Sequence, residues 1–194
     1  SLSLEEITKL VELDAVLVID EAYAEFSKES VIPLIAKHPN LIVLRTFSKW
    51  AGLAGIRIGY SISHTEFAKR MMAIKQPYNV SIVADVAARA ALEHRDEILD
   101  SVKLLISERE RLIRELPGFS IFKVFPSDAN FVLVQVVGEK AEDVVKFLRD
   151  RGILVRYYNM PELSGMIRIS AGRPEQTDAL LKALQDFEEN YVKA

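Results

Sequence analysis

Three short apolar runs in the first third of the chain limit what it can fold into. They are "AVLVID" (Ala15 to Asp20), "LIVLRT" (Leu41 to Thr46) and "IRIGYSI" (Ile56 to Ile62). Each run is rich in β-forming residues and short for a helix, so each predicts a buried strand. We expect the three strands to belong to one sheet.

Helical spacing replaces these runs from Val83 onward. Apolar residues recur there every three or four positions, and a second, longer stripe runs from Ile98 to Leu116 before "PG" ends it. Four further strands are then predicted at "FSIFKVF", "NFVLVQVV", "ILVRYY" and "GMIRIS". One helix is expected between the second and third of these strands, and another at the end of the chain.

The change in pattern along the chain predicts an α/β protein in two parts. Residues 1–105 are expected to form a mostly parallel sheet with helices, and residues 106–194 a smaller α+β unit. We place the boundary inside the long helix because no linker rich in Gly, Pro or Ser marks it. At the front, Ser3 and Glu6 have the spacing of a helix-capping box.

Composition argues against several kinds of partner. The 194 residues carry a net charge of −3 with no run of five like charges, so nucleic acid and anionic membranes are not expected partners. The chain has no cysteine, and His38, His64 and His94 lack metal-ligand spacing, so we assign no metal site. No apolar run is long enough for a membrane span and no signal peptide is visible, so a cytoplasmic protein is expected.

Asp20 and Lys49 are the first candidates for chemistry. Alone, "VLVIDEAY" is similar to the Mg²⁺-binding strand of nucleotide hydrolases, but the chain lacks the G-x-x-x-x-G-K-[ST] loop that those proteins need. Alternatively, Asp20 at the carboxyl end of a strand pairs with a cationic ring nitrogen, and Tyr23 donates to an oxygen on that ring. Lys49 lies among small and apolar residues, where an amine loses its proton more easily and can attack an aldehyde.

Pyridoxal 5′-phosphate is a cofactor that these residues could share. Its aldehyde suits Lys49, and its ring nitrogen needs a carboxylate such as Asp20. Its phosphate needs hydroxyls and a guanidinium, which Thr46, Ser48 and Arg57 offer in the segment of the lysine. Taken singly, the same residues also suit a solvated loop lysine, a turn-capping aspartate and a surface arginine.

Five ordered segments resemble the fold-type I pyridoxal-phosphate aminotransferases, most closely the histidinol-phosphate aminotransferases: "DEAYAEF", "LRTFSKWAGLAGIRIGY", "KQPYNVS", "PSDANFVLV" and "MIRISAG". The likeness spans nearly the whole chain. It implies part of the large cofactor-binding domain followed by the small C-terminal domain. The roles that it implies are Asp20 at the ring nitrogen, Tyr23 at the ring hydroxyl oxygen, Lys49 as the catalytic residue that bonds to the cofactor, and Thr46, Ser48 and Arg57 at the phosphate.

In the second part of the chain, the resemblance implies that Arg168 holds the anionic end of the substrate and that Arg156 assists. Histidinol phosphate carries a phosphate where an ordinary amino acid carries its carboxylate. A planar guanidinium receives either anion through two hydrogen bonds, which a lysine cannot do. One arginine pocket could therefore serve both histidinol phosphate and glutamate.

The activity that the resemblance implies is transamination between L-histidinol phosphate and 2-oxoglutarate in histidine biosynthesis. It also implies a homodimer in the cytoplasm, or in the plastid matrix of a plant or alga. Family members have a further N-terminal half that contributes to the cofactor site. We therefore expect this chain to be the C-terminal portion, weak or inactive by itself.

Two alternatives to this function stay open. One keeps the cofactor and changes the substrate, as in an aromatic amino-acid aminotransferase or a threonine-phosphate decarboxylase. The other is a noncatalytic fragment with a structural role. Outside the motifs, Tyr157 and Tyr158 could line a substrate pocket or pack at a sheet edge, and Asn79 and Asn130 could be site or turn residues.

Overall fold

A computed structural model of the chain describes residues 2–27, 29–138 and 140–192. The chain divides into two compact units, Ser1–Val102 and Lys103–Ala194. The helices are α1 (Leu4–Val11), α2 (Thr65–Ile74), α3 (Ile82–Glu93), α4 (Arg95–Glu115), α5 (Ala141–Asp150) and α6 (Pro174–Phe187). The strands are β1 (Leu17–Asp20), β2 (Leu41–Thr46), β3 (Gly59–Ser63), β4 (Phe122–Val124), β5 (Phe131–Val136), β6 (Arg156–Tyr157) and β7 (Met166–Ser170). The unit boundary and the predicted boundary at residue 105 both fall within α4, and the match of each unit to a domain of a larger enzyme stays a prediction.

The first unit is built on a three-stranded sheet in the order β1-β2-β3, so the predicted single sheet is confirmed. β1 and β2 are parallel, and β2 and β3 are antiparallel. The prediction that all three strands are buried was wrong. Only β2 contributes buried residues, at 41–43, and Leu17, Ile19 and Ile62 of the other two strands are partly buried against them. Val18 in β1 is 52% exposed and Tyr60 in β3 is 43% exposed.

The third predicted strand begins later than its sequence suggested. Ile56 ends a short 3₁₀ turn, and Arg57 has φ 58°, a left-handed conformation that cannot continue a strand. β3 therefore starts at Gly59. A side chain at that position would place its Cβ 2.7 Å from the carbonyl oxygen of Arg45, so the close pairing of β2 and β3 there requires glycine.

The capping box at the front of α1 is confirmed. Ser3 Oγ accepts the N–H of Glu6 at 3.3 Å, and the Glu6 carboxylate accepts the N–H of Ser3 at 2.8 Å. These hydrogen bonds, first the one from the Ser3 backbone, lower the pKa of Glu6. The helices predicted from Val83 and over Ile98–Leu116 are confirmed as α3 and α4, while α2 was not predicted.

The second unit is built on a four-stranded antiparallel sheet in the order β4-β5-β7-β6. This arrangement confirms the predicted α+β character, although "ILVRYY" forms a strand only at Arg156–Tyr157. One face of the sheet packs on helices, with Ile167 and Ile169 buried in β7. Arg168 lies between them and therefore points to the opposite face. The core also includes Leu112, Leu116, Val132, Val134, Val144, Leu148, Leu180, Leu184 and Phe187.

Candidate functional site

The predicted site residues of the first unit meet at one edge of its sheet. The parallel strands β1 and β2 end there at Asp20 and Thr46, and the antiparallel β3 begins there at Gly59. Lys49 follows β2 by three residues, and Arg57 precedes β3 by two. The carboxyl ends of parallel strands are where α/β sheets bind ligands.

Lys49 lies against Tyr23 in this edge. Its Nζ is 5.2 Å from the centroid of the Tyr23 ring. Lys49 is half-buried between Phe47 and Trp50, which are both buried and have ring centroids 5.5 Å apart. Within the described ranges no carboxylate forms an ion pair with this lysine. The amine of Lys49 thus lies over the phenol ring of Tyr23, in a segment that also carries two buried aromatic residues.

The carboxylate of Asp20 stabilises a turn through one of its two oxygens. Its Oδ1 accepts the N–H of Ala22 at 2.9 Å, which closes the turn after β1. The side chain is exposed, and its other oxygen has no hydrogen-bond donor in the part of the chain that the structure describes. The turn hydrogen bond therefore orients the carboxylate and leaves one oxygen available to a ligand.

The hydroxyls of Thr46 and Ser48 are neighbours beyond β2. Thr46 Oγ1 accepts the N–H of Ser48 at 3.0 Å and donates to the carbonyl of Ile58 at 3.4 Å. The Ser48 hydroxyl has no hydrogen-bond partner among the described residues. The turn thus presents a hydroxyl that an anion could use.

Arg57 is on the same edge, but its side chain is anchored elsewhere. Its Nη1 donates to the carbonyl of Ala54 at 3.0 Å, and the residue is exposed. In the described ranges it is the only residue other than glycine with a positive φ. A left-handed conformation at such a residue is strained, and strain of this kind is concentrated at functional sites.

A group of charged residues beside this edge was missed in the sequence. Arg45 donates from Nε to Glu21 Oε2 at 2.9 Å, from Nη1 to Glu25 Oε1 at 2.9 Å and from Nη2 to Ser30 Oγ at 3.0 Å. Glu21 also accepts from the Ser30 hydroxyl at 2.8 Å and from the Val31 N–H at 2.6 Å. We call Arg45, Glu21, Glu25 and Ser30 the Arg45 cluster.

One signal in the sequence could have revealed the Arg45 cluster. An arginine inside the apolar run "LIVLRT" must find acidic partners if the strand is buried, and "DEAYAE" supplies two glutamates after the neighbouring strand. The side chains of Arg45 and Glu21 are 11% and 9% exposed, which confirms that the pair is largely removed from water. Nearby, burial raises the pKa of the Tyr60 phenol, and the charge of Arg45 partly offsets this.

The two predicted arginines of the second unit lie side by side. The register of β6 and β7 places Arg156 directly opposite Arg168, so both side chains point to the same face of the sheet. The guanidinium carbon of Arg168 is 5.1 Å from the ring centroid of Phe131 and 6.0 Å from that of Tyr158, and the guanidinium carbon of Arg156 is 5.7 Å from the Tyr158 ring. Two cations held this close favour the binding of an anion between or beside them.

Arg168 carries a donor that no described residue satisfies. Its Nε is buried and has no hydrogen-bond partner in the described part of the chain. A buried unsatisfied N–H destabilises a fold, and a charged one does so more strongly. Neither arginine forms an ion pair with a carboxylate among the described residues, so the surface ion-pair role does not account for them.

The two adjacent tyrosines of this unit have different surroundings. Tyr158 lies beside the arginines, whereas the Tyr157 hydroxyl donates to Glu142 Oε1 on α5 in a short hydrogen bond. That bond lowers the pKa of Glu142 and raises the pKa of Tyr157. Tyr157 therefore links β6, the strand of Arg156, to α5.

The described residues offer no alternative site based on a metal. Within the described ranges no group of three His, Asp or Glu side chains could hold a metal ion. Over the same residues, no helix combines the length and the apolar character that a membrane crossing needs.

Known proteins with sequences similar to this chain are aminotransferases. A family model described as "Aminotransferase class I and II" matches residues 1–184. The histidinol-phosphate aminotransferase of Roseiflexus castenholzii is 49% identical over 183 residues, which cover 93% of this chain and 49% of that protein. The chloroplastic histidinol-phosphate aminotransferase of Nicotiana tabacum is 45% identical over 186 residues, covering 94% of this chain and 45% of that protein. The chain spans about half the length of the curated relatives it matches.

Solved structures give the same fold. The L-threonine-O-3-phosphate decarboxylase of Porphyromonas gingivalis superposes with a TM-score of 0.84 at 29% identity, covering 97% of this chain and 60% of that one. The histidinol-phosphate aminotransferase of Sinorhizobium meliloti in complex with pyridoxal-5′-phosphate superposes with a TM-score of 0.80 at 32% identity, covering 94% and 52%. The predicted α/β fold class is confirmed by these similarities.

Proposed function

The chain belongs to the class I and II aminotransferases, and we propose that the whole protein transfers an amino group between L-histidinol phosphate and 2-oxoglutarate. This reaction is a step of histidine biosynthesis. The observation that carries the proposal is the meeting of Asp20, Tyr23 and Lys49 at one sheet edge, with Lys49 Nζ 5.2 Å from the Tyr23 ring centroid. The names of the relatives support the choice of substrate.

The residues at this edge fit pyridoxal phosphate. When bound, the cofactor supplies an aldehyde carbon and a ring that withdraws electrons from the substrate's α-carbon. Lys49 would be the covalent attachment point, and its amine, once freed, would move a proton to and from that α-carbon. The available oxygen of Asp20 would keep a proton on the ring nitrogen, and the Tyr23 hydroxyl would donate to the ring oxygen.

The phosphate group is assigned to Thr46, Ser48 and Arg57. The Ser48 hydroxyl is without a protein partner among the described residues, and Thr46 is adjacent to it. Arg57 contributes charge from a backbone that is held in a strained conformation. Its Nη2 and Nε, which have no hydrogen-bond acceptor among the described residues, are the atoms that we assign to the phosphate.

Arg168 and Arg156 are the proposed binding residues for the substrate anion. The buried Nε of Arg168 needs an acceptor, and a carboxylate or a phosphate supplies one. Arg156 is more exposed and is assigned to the phosphate of histidinol phosphate, because a dianion has oxygens left after one guanidinium is satisfied. Tyr158 lies beside both guanidinium groups and holds them by cation–π contact.

A decarboxylase is the second candidate function. The structural similarity to the threonine-phosphate decarboxylase of P. gingivalis, with a TM-score of 0.84, favours it specifically. L-Threonine O-3-phosphate also carries a phosphate and an amino group. The same cofactor and the same arginines could therefore serve either reaction.

Assay of the whole protein separates the two functions. With L-histidinol phosphate and 2-oxoglutarate, the proposal predicts formation of glutamate at a rate well above that with phenylalanine or tyrosine as amino donor. With L-threonine O-3-phosphate, it predicts no release of carbon dioxide. Release of carbon dioxide without glutamate formation would reject the aminotransferase function and support the decarboxylase function.

We also propose that the whole protein is a homodimer in the cytoplasm, or in the plastid matrix of a plant or alga. Apolar side chains from α2 to the start of α3 support an assembly because they are exposed in this chain: Ile74 is 85% exposed, Tyr78 93% and Ile82 83%. The chloroplastic relative supports the plastid as the compartment in a plant. Sedimentation equilibrium of the whole protein tests the dimer, and a monomer at micromolar concentration would contradict it.

A further inference from the structure

We infer that the Arg45 cluster positions the cofactor-binding residues of the sheet edge, an inference that rests on the proposed function. Three of its members lie within two residues of residues assigned to the cofactor. Glu21 follows Asp20, Glu25 comes two residues after Tyr23, and Arg45 precedes Thr46. We therefore expect a change in the cluster to move the residues after β1 relative to those after β2.

The hydrogen bonds of the cluster close the loop after β1 onto β2. The Glu21 N–H donates to the carbonyl of Leu44 at 2.9 Å, which extends the strand pairing one residue beyond Asp20. The carboxylate of Glu21 then reaches Arg45 on β2 and the Val31 N–H farther along the loop. The loop that follows Asp20 and carries Tyr23 is thus tied to β2, the strand that leads to Lys49, through the contacts of Glu21 and Ser30 with Arg45.

An arginine is needed at position 45 because three different groups must be held at once. Its Nε, Nη1 and Nη2 reach Glu21, Glu25 and Ser30 respectively. An ammonium group has no planar fork and cannot reproduce this arrangement. The low exposure of Arg45 and Glu21 makes these charge-assisted hydrogen bonds stronger than those of a surface pair.

The two glutamates of the cluster differ in a way that permits a matched test. Both oxygens of Glu21 accept hydrogen bonds, from Val31 on one side and from Arg45 and Ser30 on the other. A glutamine at position 21 has only one accepting oxygen. Whichever way its amide turns, it must lose either the hydrogen bond from Val31 or those from Arg45 and Ser30. Among the described residues, Glu25 accepts a hydrogen bond at Oε1 and has a buried Oε2 without a partner, so a glutamine there can keep the hydrogen bond from Arg45.

The experiment compares Glu21→Gln, Glu25→Gln and Arg45→Lys in the whole protein, with the exposed Glu66→Gln as the control. Apo protein is titrated with pyridoxal phosphate, and the visible absorption of the bound cofactor is followed from acid to alkaline pH. Hydrogen exchange of residues 21–31 is measured in the apo protein. We expect Glu21→Gln to weaken cofactor binding by about tenfold, the effect of one lost charge-assisted hydrogen bond.

In the same variant, we expect the pH midpoint of the absorption change to move and exchange in residues 21–31 to become faster. Arg45→Lys should behave in the same way, Glu25→Gln should lose less affinity, and Glu66→Gln should match wild type. Faster exchange in Glu21→Gln with wild-type affinity and an unmoved midpoint would mean that the cluster only supports the fold, and would overturn the inference. Unchanged exchange, affinity and midpoint would overturn it as well.

The proposed function fails by a different result. If the wild-type whole protein itself does not bind pyridoxal phosphate, the cofactor assignment is wrong and the positioning role toward the cofactor is wrong with it. The exchange measurement on apo protein then still shows whether Glu21 ties the loop to β2. Binding by wild type together with equal binding by Glu21→Gln and Arg45→Lys rejects the positioning role alone.

Discussion

The two units of the chain hold their functional residues in different ways. In the second unit, Arg168 lies between Ile167 and Ile169, which are buried in a large apolar core, so packing fixes the strand that carries it. In the first unit the core is smaller, Val18 is half exposed, and the loop after β1 is tied to β2 by the ion pairs of Arg45. The second unit therefore positions its site by apolar packing, and the first does so largely by charged hydrogen bonds.

The largest expected stability difference comes from comparing apolar truncations in the two units. Leu184→Ala removes a side chain that is fully buried in the second unit and should lower the free energy of unfolding by about 2–5 kcal/mol. Val18→Ala, on the open face of the first sheet, should change it by no more than about 0.5 kcal/mol. Urea unfolding of the 194-residue chain measures both values, and equal losses would remove the contrast between the units.

The next prediction concerns the arginine pair on the open face of the second sheet. Arg168→Lys replaces a two-pronged donor by a single ammonium, at a site where a charged hydrogen bond contributes about 1.5–3 kcal/mol. We expect both proposed half-reactions of the whole protein, with histidinol phosphate and with glutamate, to slow, because both anions are assigned to Arg168. Single-turnover kinetics measures each one separately.

Arg156→Lys is the matched variant for this test. It should impair the histidinol phosphate half-reaction and spare glutamate, since Arg156 is assigned only to the phosphate. The idea of a shared anion pocket would have to be abandoned if Arg168→Lys affected one substrate and left the other at the wild-type rate.

A smaller effect is expected where the first unit stores backbone strain. Arg57→Gly removes the cost of a left-handed conformation, partly offset by the greater freedom of glycine in the unfolded chain, so stability should rise by about 0.5 kcal/mol. The same change should weaken the binding of pyridoxal phosphate to the whole protein, because the guanidinium is lost. Thermal unfolding of the apo protein measures the change in stability, and cofactor titration measures the change in affinity. A loss of both stability and affinity would show that Arg57 is not strained for function.

The smallest effect is expected at the link between Tyr157 and Glu142 in the second unit. The hydrogen bond lowers the pKa of Glu142 in the folded state, so its stabilisation is present above the ordinary pKa of 4.5 and is lost as the pH falls through the lowered value. Tyr157→Phe should therefore reduce stability slightly at neutral pH and leave it unchanged at the acid end. Unfolding curves of Tyr157→Phe and Tyr158→Phe across this range check the prediction, and a Tyr157→Phe deficit that persists in acid would contradict it.

The sequence predicted the elements of both units better than it predicted their ends. Periodicity located the three strands of the first sheet, and Ser3 with Glu6 located the start of α1. Periodicity could not show that β3 begins at Gly59, because the left-handed conformation of Arg57 is set by the turn before the strand. Helix α2 was not predicted, and none of its side chains is buried in a core.

The residues of the candidate site were predicted from the sequence, but the residues that position them were not. Asp20, Tyr23 and Lys49 were proposed from residue type and order, and the structure places them at one edge. The apolar run around Arg45 indicates that this arginine needs acidic partners, but that Glu21 and Glu25 reach it depends on the register of β1 with β2 and on the turn after Asp20. The buried Nε of Arg168, without a partner among the described residues, depends on tertiary packing that no local pattern reveals.

We propose that Lys49 is the residue that bonds to the cofactor. Borohydride reduction of the whole protein loaded with pyridoxal phosphate fixes the cofactor to its lysine, and peptide mapping then identifies that lysine. We expect a pyridoxyl group on Lys49, and none after Lys49→Ala in a protein that remains folded. A pyridoxyl group on any other lysine, or its persistence in Lys49→Ala, would contradict it.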